Sequence, residues 1–523
     1  MGQKQVRVVQ FVTQRAARRV GGKEAMEGVQ EANSIEEESI EPLLGEEIAP
    51  VEPMRVQPWL GPTSLLVVFC GIQLVTYLDR GVIASNGVNG SLGTDGNPGG
   101  GIQGDFQLDN FQDGLLPTIF MVGLLVASPI FASLSQTHNQ MWLISIGLSI
   151  WFLATLSCGF STGFTSIAVA RAFVGVGEAS FVSLAAPFID DVAPAGQKTT
   201  WLAIFYLGIP TGVALGYIYG GLVSAALGWR AAFFTESFLM LPFIVLASLA
   251  PKNLHLRGTE TVECKDSGDR MQGQEETEEP PSTLAGRGLL QLKKVQWHAK
   301  TIWKDSKVVL SHKVYSLLLV GYVFNTALIG ALAYWGPKAG RAVYPIAFEV
   351  PSHADVVFGM ITVFTGVVGT LSGGLWVDYF GSSLQACLLM TAVAIGIGFL
   401  FLFAAFAVTH LGTMLSCFFF GELFIFSTGA PVNAAAMWSV PQGLRPFSMA
   451  LSVVAIHLFG DVPSPPLLGL LEDILEGMYA PSIAVRITMI AASFLLVPCT
   501  LFLFLAWRAS RTAKDYRLSA LHQ

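Results

Sequence analysis

Asp79, Arg80, Arg171 and Glu178 each lie inside a long apolar run, as do Glu422, His457 and Asp461. In hydrocarbon such charges are costly unless they are paired or wet, so each is a candidate for function. Arg171 and Glu178 are seven residues apart, two turns along one helical face. Asp79 lies at a depth similar to that of Arg171, so an Asp79–Arg171 pair is geometrically possible. Burial favours the neutral form of a carboxyl and a neighbouring guanidinium favours the charged form. Carboxylates that exchange an arginine partner can therefore bind a proton on one side of a membrane and release it on the other. The alternative is a fixed ion pair that ties two helices together.

The second half of the chain offers other groups. His457 and Asp461 stand four apart, on one face of a helix, and Glu422 and Asn325 occupy apolar runs of their own. All four are candidates to line a substrate cavity. His457-x-x-x-Asp461 also matches the HxxxD arrangement of some acyltransferases, the main enzymatic alternative. No companion motif accompanies it, and a His–Asp pair that braces a helix or lines a cavity accounts for it. The protein is therefore not expected to be an enzyme.

These residues must be held by membrane-spanning helices. The chain is 52% hydrophobic and 13% charged, with a mean hydropathy of +0.56; soluble domains carry about twice that charged share. Twelve segments are long and apolar enough to cross a bilayer. They fall at about 62–85, 112–135, 141–160, 164–188, 199–223, 231–250, 313–336, 354–377, 384–408, 411–438, 446–471 and 483–507. Lipid gives backbone groups no partners, which leaves helices or a closed barrel, and the absence of period-2 alternation excludes the barrel. Lysine and arginine sort strongly if both termini are cytoplasmic. Arg230, Lys338, Arg341 and Arg486 then face outward, and the 86–111 loop has no Lys or Arg.

The predicted organisation is a cytoplasmic tail (1–61), a six-helix half (62–250), a linker (251–312), a second six-helix half (313–507) and a short tail (508–523). No apolar stretch precedes residue 60, so no secretory signal is expected. The linker holds an acidic run from Glu275 to Glu279 that should be disordered. It ends in a basic amphipathic pattern: Leu292, Val295, Ala299, Ile302 and Trp303 share a face beside Lys293, Lys300, Lys304 and Lys307. That pattern suits the inner membrane surface, and equally a solvated linker helix. In the fifth span Gly208, Gly212, Gly216 and Gly220 form a smooth stripe for close helix packing, and Pro210 is a candidate hinge. Cys70, Cys158, Cys387, Cys417 and Cys499 lie in apolar runs and Cys264 in the linker. None has CxxC spacing, so neither disulfides nor a metal site is expected. Gly99-Gly100-Gly101 follows no strand and is no phosphate cradle, so no cofactor is expected. No basic tract suits nucleic acid, and no obligate protein partner is indicated. Asn89-Gly90-Ser91 is a glycosylation sequon close to the membrane.

Six plus six helices joined by a long linker is the plan of the major facilitator superfamily, whose substrates bind between the halves near the midplane. Gly374-Leu375-Trp376-Val377-Asp378-Tyr379-Phe380-Gly381 is close to that superfamily's GxxxDxxG loop, with Asp378 as the gating acid. The chain further resembles the Spinster family. The resemblance rests on Tyr77-Leu78-Asp79-Arg80-Gly81-Val82-Ile83, on Asn86-Gly87-Val88-Asn89-Gly90 and on Arg171-Ala172-Phe173-Val174-Gly175-Val176-Gly177-Glu178-Ala179. It rests also on Ala186-Pro187-Phe188-Ile189-Asp190, on Gly421-Glu422, and on His457-Leu458-Phe459-Gly460-Asp461 with Ser464-Pro465. It implies transport of sphingosine-1-phosphate, related sphingolipids or lysophospholipids, coupled to protons through Asp79, Arg80, Arg171 and Glu178. Arg80 or Arg171 would receive a phosphate. Late endosome, lysosome or vacuole is the membrane expected, with the plasma membrane and mitochondria as alternatives. One departure stands out. The family's charged GDRxxRK loop after the second span reads Leu134-Ser135-Gln136-Thr137-His138-Asn139-Gln140-Met141, without Asp, Arg or Lys. That change bears on gating and keeps two further readings open: a transporter of another amphiphile or organic ion, and a non-transporting sensor or scaffold.

Overall fold

The computed structural model describes residues 61–93, 99–135, 138–194, 198–250, 303–304, 306–379, 383–441, 444–513 and 516. Among the described residues, twelve helices are long and apolar enough to span a membrane: Pro62–Ala84, Asn110–Leu134, Gln140–Gly159, Phe164–Ile189, Ile204–Leu227, Trp229–Ser248, Lys313–Val343, Pro351–Val377, Leu384–Ala407, Leu411–Trp438, Phe447–Glu476 and Pro481–Ser510. They are numbered as spans 1–12. The acidic run and most of the amphipathic linker pattern, Leu292 to Ile302, lie outside the described residues. Residues 306–311 are helical, with exposed Trp303 beneath the ammonium of Lys307.

The two halves repeat one packing scheme. Span 1 packs on span 5, span 2 on span 4, and span 3 on spans 4 and 6; span 7 packs on span 11, span 8 on span 10, and span 9 on spans 10 and 12. The halves meet through span 5 against span 8 and span 2 against span 11. Small residues set these distances. A β-carbon on Gly216 would stand 2.2 Å from the Leu78 carbonyl oxygen, and one on Gly212 would strike Tyr77. The glycine stripe thus draws span 5 onto the segment of span 1 that carries Asp79 and Arg80. Just before it the helix breaks at Leu207, between Lys198–Tyr206 and Gly208–Leu227, next to Pro210.

Span 11 is also interrupted. Arg445–Ile456 passes into a π-helical turn, His457–Asp461, and Pro463, Pro465 and Pro466 surround the start of Ser464–Glu476. Prolines lack the N–H that would continue the regular ladder, and single π turns recur at functional positions.

Among the described residues, the ion pair and most of the hydrogen bonds found between the halves lie toward one end of the bundle, where spans 1, 7 and 11 finish and spans 2 and 8 begin; Thr118 to the Val462 carbonyl and Tyr217 to the Ala333 carbonyl lie deeper. Buried Asp355 accepts from Asn86 N (2.8 Å), Asn86 Nδ2 (2.8 Å) and Gly87 N (3.2 Å). Lys338 Nζ pairs with Asp113 at 3.1 Å and donates to Gln103 at 2.7 Å. Tyr334 donates to Asp113 Oδ1 at 2.7 Å. Asp473 caps the first backbone amides of span 2, at 3.0 Å from Asn110 N and 2.9 Å from Phe111 N. The loop between spans 1 and 2 is built in with them, carrying the short helices Asn86–Asn89 and Gly101–Phe106. Asn89 of the sequon is buried and donates to Asp113 and Tyr334, so its amide is committed inside the fold.

Candidate transport site

Spans 1 and 4 place four charged groups in two layers. Asp79 accepts from both terminal nitrogens of Arg171, at 2.7 and 2.8 Å. Both residues are sealed, at 0% and 1% exposure. At the 1.5 Å helical rise, Asp79 is ~8 Å from the end of span 1 and Arg171 ~10 Å from the start of span 4, so the two meet at one depth. The next layer is Arg80–Glu178, at 2.5 Å, where Glu178 is sealed and the Arg80 side chain keeps 18% exposure. Successive residues 79 and 80 point a third of a turn apart. Residues 171 and 178 share a face two turns apart. One dipeptide on span 1 therefore reaches two levels of span 4.

Phe120 of span 2 closes the space between the layers. Its ring centre is 5.0 Å from the Arg80 guanidinium carbon and 5.2 Å from that of Arg171. Gly175, between the two charges on span 4, permits this approach: a β-carbon there would sit 2.0 Å from the Phe120 carbonyl oxygen. The Tyr77 ring also lies against Arg80, its centre 4.3 Å from the guanidinium carbon. Cation–π contact stabilises a guanidinium that has only one carboxylate oxygen. Arg171 is thus enclosed within the N-terminal half, whereas the Arg80 side chain keeps part of its surface exposed.

The C-terminal candidates do not form one cluster. His457 Nδ1 lies 2.6 Å from Asp461 Oδ2 within the π turn, the pair half-buried. Asp461 and Arg80 are in electrostatic range of each other across the interface, as are Asp461 and Tyr77. Glu422 is separate: it accepts from Thr365 Oγ1 at 3.0 Å and lies 3.3 Å from that of Thr362, both on span 8. Asn325 is buried with its side-chain oxygen unbonded. Asp378 falls in the last turn of Pro351–Tyr379, and its side chain lies outside the described residues. Gln136 and Thr137 of the uncharged loop also lie outside them.

Four carboxyl groups with partners or places of their own, Asp113, Asp355, Asp473 and Glu236, were not singled out by the sequence. Asp113 and Asp355 lie near helix ends, where charges are ordinary, and only the partner half reveals their role. Glu236 lies seven residues into span 6, 0% exposed, with neither oxygen hydrogen-bonded. A lone carboxylate in an apolar run was the signal available for it.

The chain matches the Major Facilitator Superfamily model over residues 69–465 and belongs to that superfamily. It is 46% identical to the probable sphingolipid transporter spinster homolog 2 of Arabidopsis thaliana, over 86% of this chain and 87% of that protein. It is 29% identical to protein spinster homolog 1 of Homo sapiens, over 81% of this chain and 75% of that protein. Among solved structures it is similar to a bacterial homolog of the human lysosomal transporter Spinster, in an inward-facing, unoccupied conformation. There the TM-score is 0.65 at 16% identity, covering 86% of this chain and 97% of that one. Within the superfamily the chain belongs to the spinster family of transporters, a multi-pass membrane family.

Proposed function

We propose that the protein transports an amphipathic lipid, a sphingolipid such as sphingosine-1-phosphate or a lysophospholipid, by proton-coupled alternating access. The observation that carries this reading is the position of Arg80. Of the two guanidiniums in the charged layers it is the incompletely sealed one, and Asp461 of the half-buried His457–Asp461 pair of the other half lies within its field. A phosphate seeks a guanidinium and an ammonium seeks a carboxylate, and these lipids carry a phosphate, most of them with a cationic amine or choline as well. The sphingolipid-transporter name of the Arabidopsis relative supports the substrate class.

Coupling follows from competition at Arg80. While Glu178 is ionised it holds the guanidinium; a proton on Glu178 ends that pairing and frees Arg80 for an anionic headgroup. Proton and headgroup then bind in linked fashion, because each changes the other's free energy by the same amount. Asp79–Arg171 holds spans 1 and 4 in register beneath this switch. With both termini cytoplasmic, the bonded end of the bundle is the outer one and the conformation faces inward; the halves rock apart when the Asp355, Asp113–Lys338 and Asp473 contacts break. A lysosomal or vacuolar membrane accords with the lysosomal transporter named for the solved neighbour.

The uncharged loop after span 2 favours a second reading, a sensor or scaffold that keeps the fold without flux. Uptake of labelled sphingosine-1-phosphate and lysophospholipid into proteoliposomes decides between them, with pH gradients of either polarity and with Asp79→Asn and Glu178→Gln alongside. Gradient-dependent uptake abolished by Glu178→Gln is expected. Uptake indifferent to gradient and to both substitutions would leave facilitated lipid transport. No uptake by folded protein would sustain the sensor reading.

A further inference from the structure

Glu236 of span 6 is buried beside the Asp79–Arg171 pair and has no donor of its own. It lies within electrostatic range of both members of that pair. The other titratable groups facing it are Cys158 of span 3 and Tyr219 of span 5. The short helix Asn86–Asn89, also against span 6, brings none. Asp79 occupies both terminal nitrogens of Arg171, so one guanidinium stands between two carboxyls, one engaged and one not. Adding the balanced Arg80–Glu178 pair leaves this buried cluster with two guanidiniums against three carboxyls. A carboxylate sealed from solvent, with no hydrogen-bond donor and with the neighbouring guanidinium already engaged by another carboxylate, is not sustained in a low-dielectric interior; it takes a proton.

We propose that Glu236 is a proton-binding site, neutral while Arg171 is engaged with Asp79, so that Asp79, Arg171 and Glu236 together carry one exchangeable proton. If Arg171 turns to Glu236, the proton leaves the Glu236 oxygen as the guanidinium arrives, and Asp79, now unpaired, takes one up. The count of protons is unchanged while the site moves from span 6 to span 1. The presence of the proton follows from burial and charge balance alone; only its part in driving transport rests on the coupled reading above.

The test is infrared spectroscopy of the full-length protein in lipid nanodiscs at neutral pH, reading the C=O stretch of protonated carboxyls. A component of that band should vanish in Glu236→Gln and persist in Glu178→Gln. Glu236→Met, of similar volume, is the second variant, and both should melt within a few degrees of the parent, because the group removed is neutral and unbonded. A band unchanged by either substitution overturns the proposal, as does a collapse in melting temperature caused by both. Loss of the band component in a protein whose wild type shows no gradient-driven uptake supports the proton site and defeats the coupled-transport reading. Gradient-driven uptake that is undiminished in Glu236→Gln would overturn any part for this proton in coupling.

Discussion

Asp79→Asn isolates the energetics of the fully sealed charged layer. The wild-type carboxylate receives two parallel charge-assisted hydrogen bonds from Arg171 at 2.7 and 2.8 Å, in a place with 1% exposure or less. An asparagine keeps one acceptor oxygen and turns an NH₂ group toward the guanidinium, so one bond is lost and, while Glu236 stays protonated, the positive charge is left uncompensated. Removing one partner of a buried pair costs about 3–5 kcal/mol. For a unit the size of one six-helix half, that corresponds to a fall in melting temperature of roughly 10 °C. Replacing both partners with apolar residues, Asp79→Leu with Arg171→Met, removes the stranded charge and should recover most of the loss. Thermal unfolding in detergent, followed by tryptophan fluorescence, reads all three proteins. If Asp79→Asn melts with the wild type, Arg171 has another source of compensation and the pairing argument fails. If the double variant is no more stable than Asp79→Asn, the cost is one of shape and not of charge.

Two further outcomes follow from the same geometry. Gly216→Ala places a methyl group 2.2 Å from the Leu78 carbonyl oxygen and should cost about 1–3 kcal/mol. Gly374→Ala, with nothing within 4 Å of the new carbon, should be neutral or stabilising by up to ~1 kcal/mol; equal effects in a thermal-shift assay would refute the close packing of spans 1 and 5. Asp355→Ala removes the acceptor for three donors on residues 86 and 87 and should weaken the bonded end by about 2 kcal/mol, roughly thirtyfold in a two-state balance. Pulsed-EPR distances across that end should then broaden toward longer values, and an unchanged distribution would remove Asp355 from the latch.

The membrane class of the protein was legible because it depends on composition along the chain and not on contacts. An apolar run of about 20 residues must be a helix in lipid, and all twelve predicted segments correspond to helices. The positions of Asp79 and Arg171 announced that spans 1 and 4 interact, since these two residues fall at matching depths; the Arg80–Glu178 pair was not announced. Boundaries moved by a few residues where capping set them: span 2 begins at Asn110 because Asp109 and Asp473 satisfy its first amides. The π turn at His457 was not visible, because a four-residue spacing reads as an ordinary helical face.

What the sequence determined by itself was which residues are charged in apolar surroundings, and therefore which ones must find partners. Which partner each takes was decided only by tertiary packing. Arg171 takes Asp79 and Arg80 takes Glu178 because glycines at 175 and 216 let spans 2 and 5 close on spans 4 and 1, setting the levels at which the side chains meet. Asp355 and Asp473 act on backbone amides of the opposite half, a kind of contact with no side-chain signature. Glu236 has a charge-balance role that appears only after every neighbouring guanidinium has been assigned. Solvation of a charge depends on everything within several ångströms of it, and that neighbourhood is assembled from five spans distant in the chain.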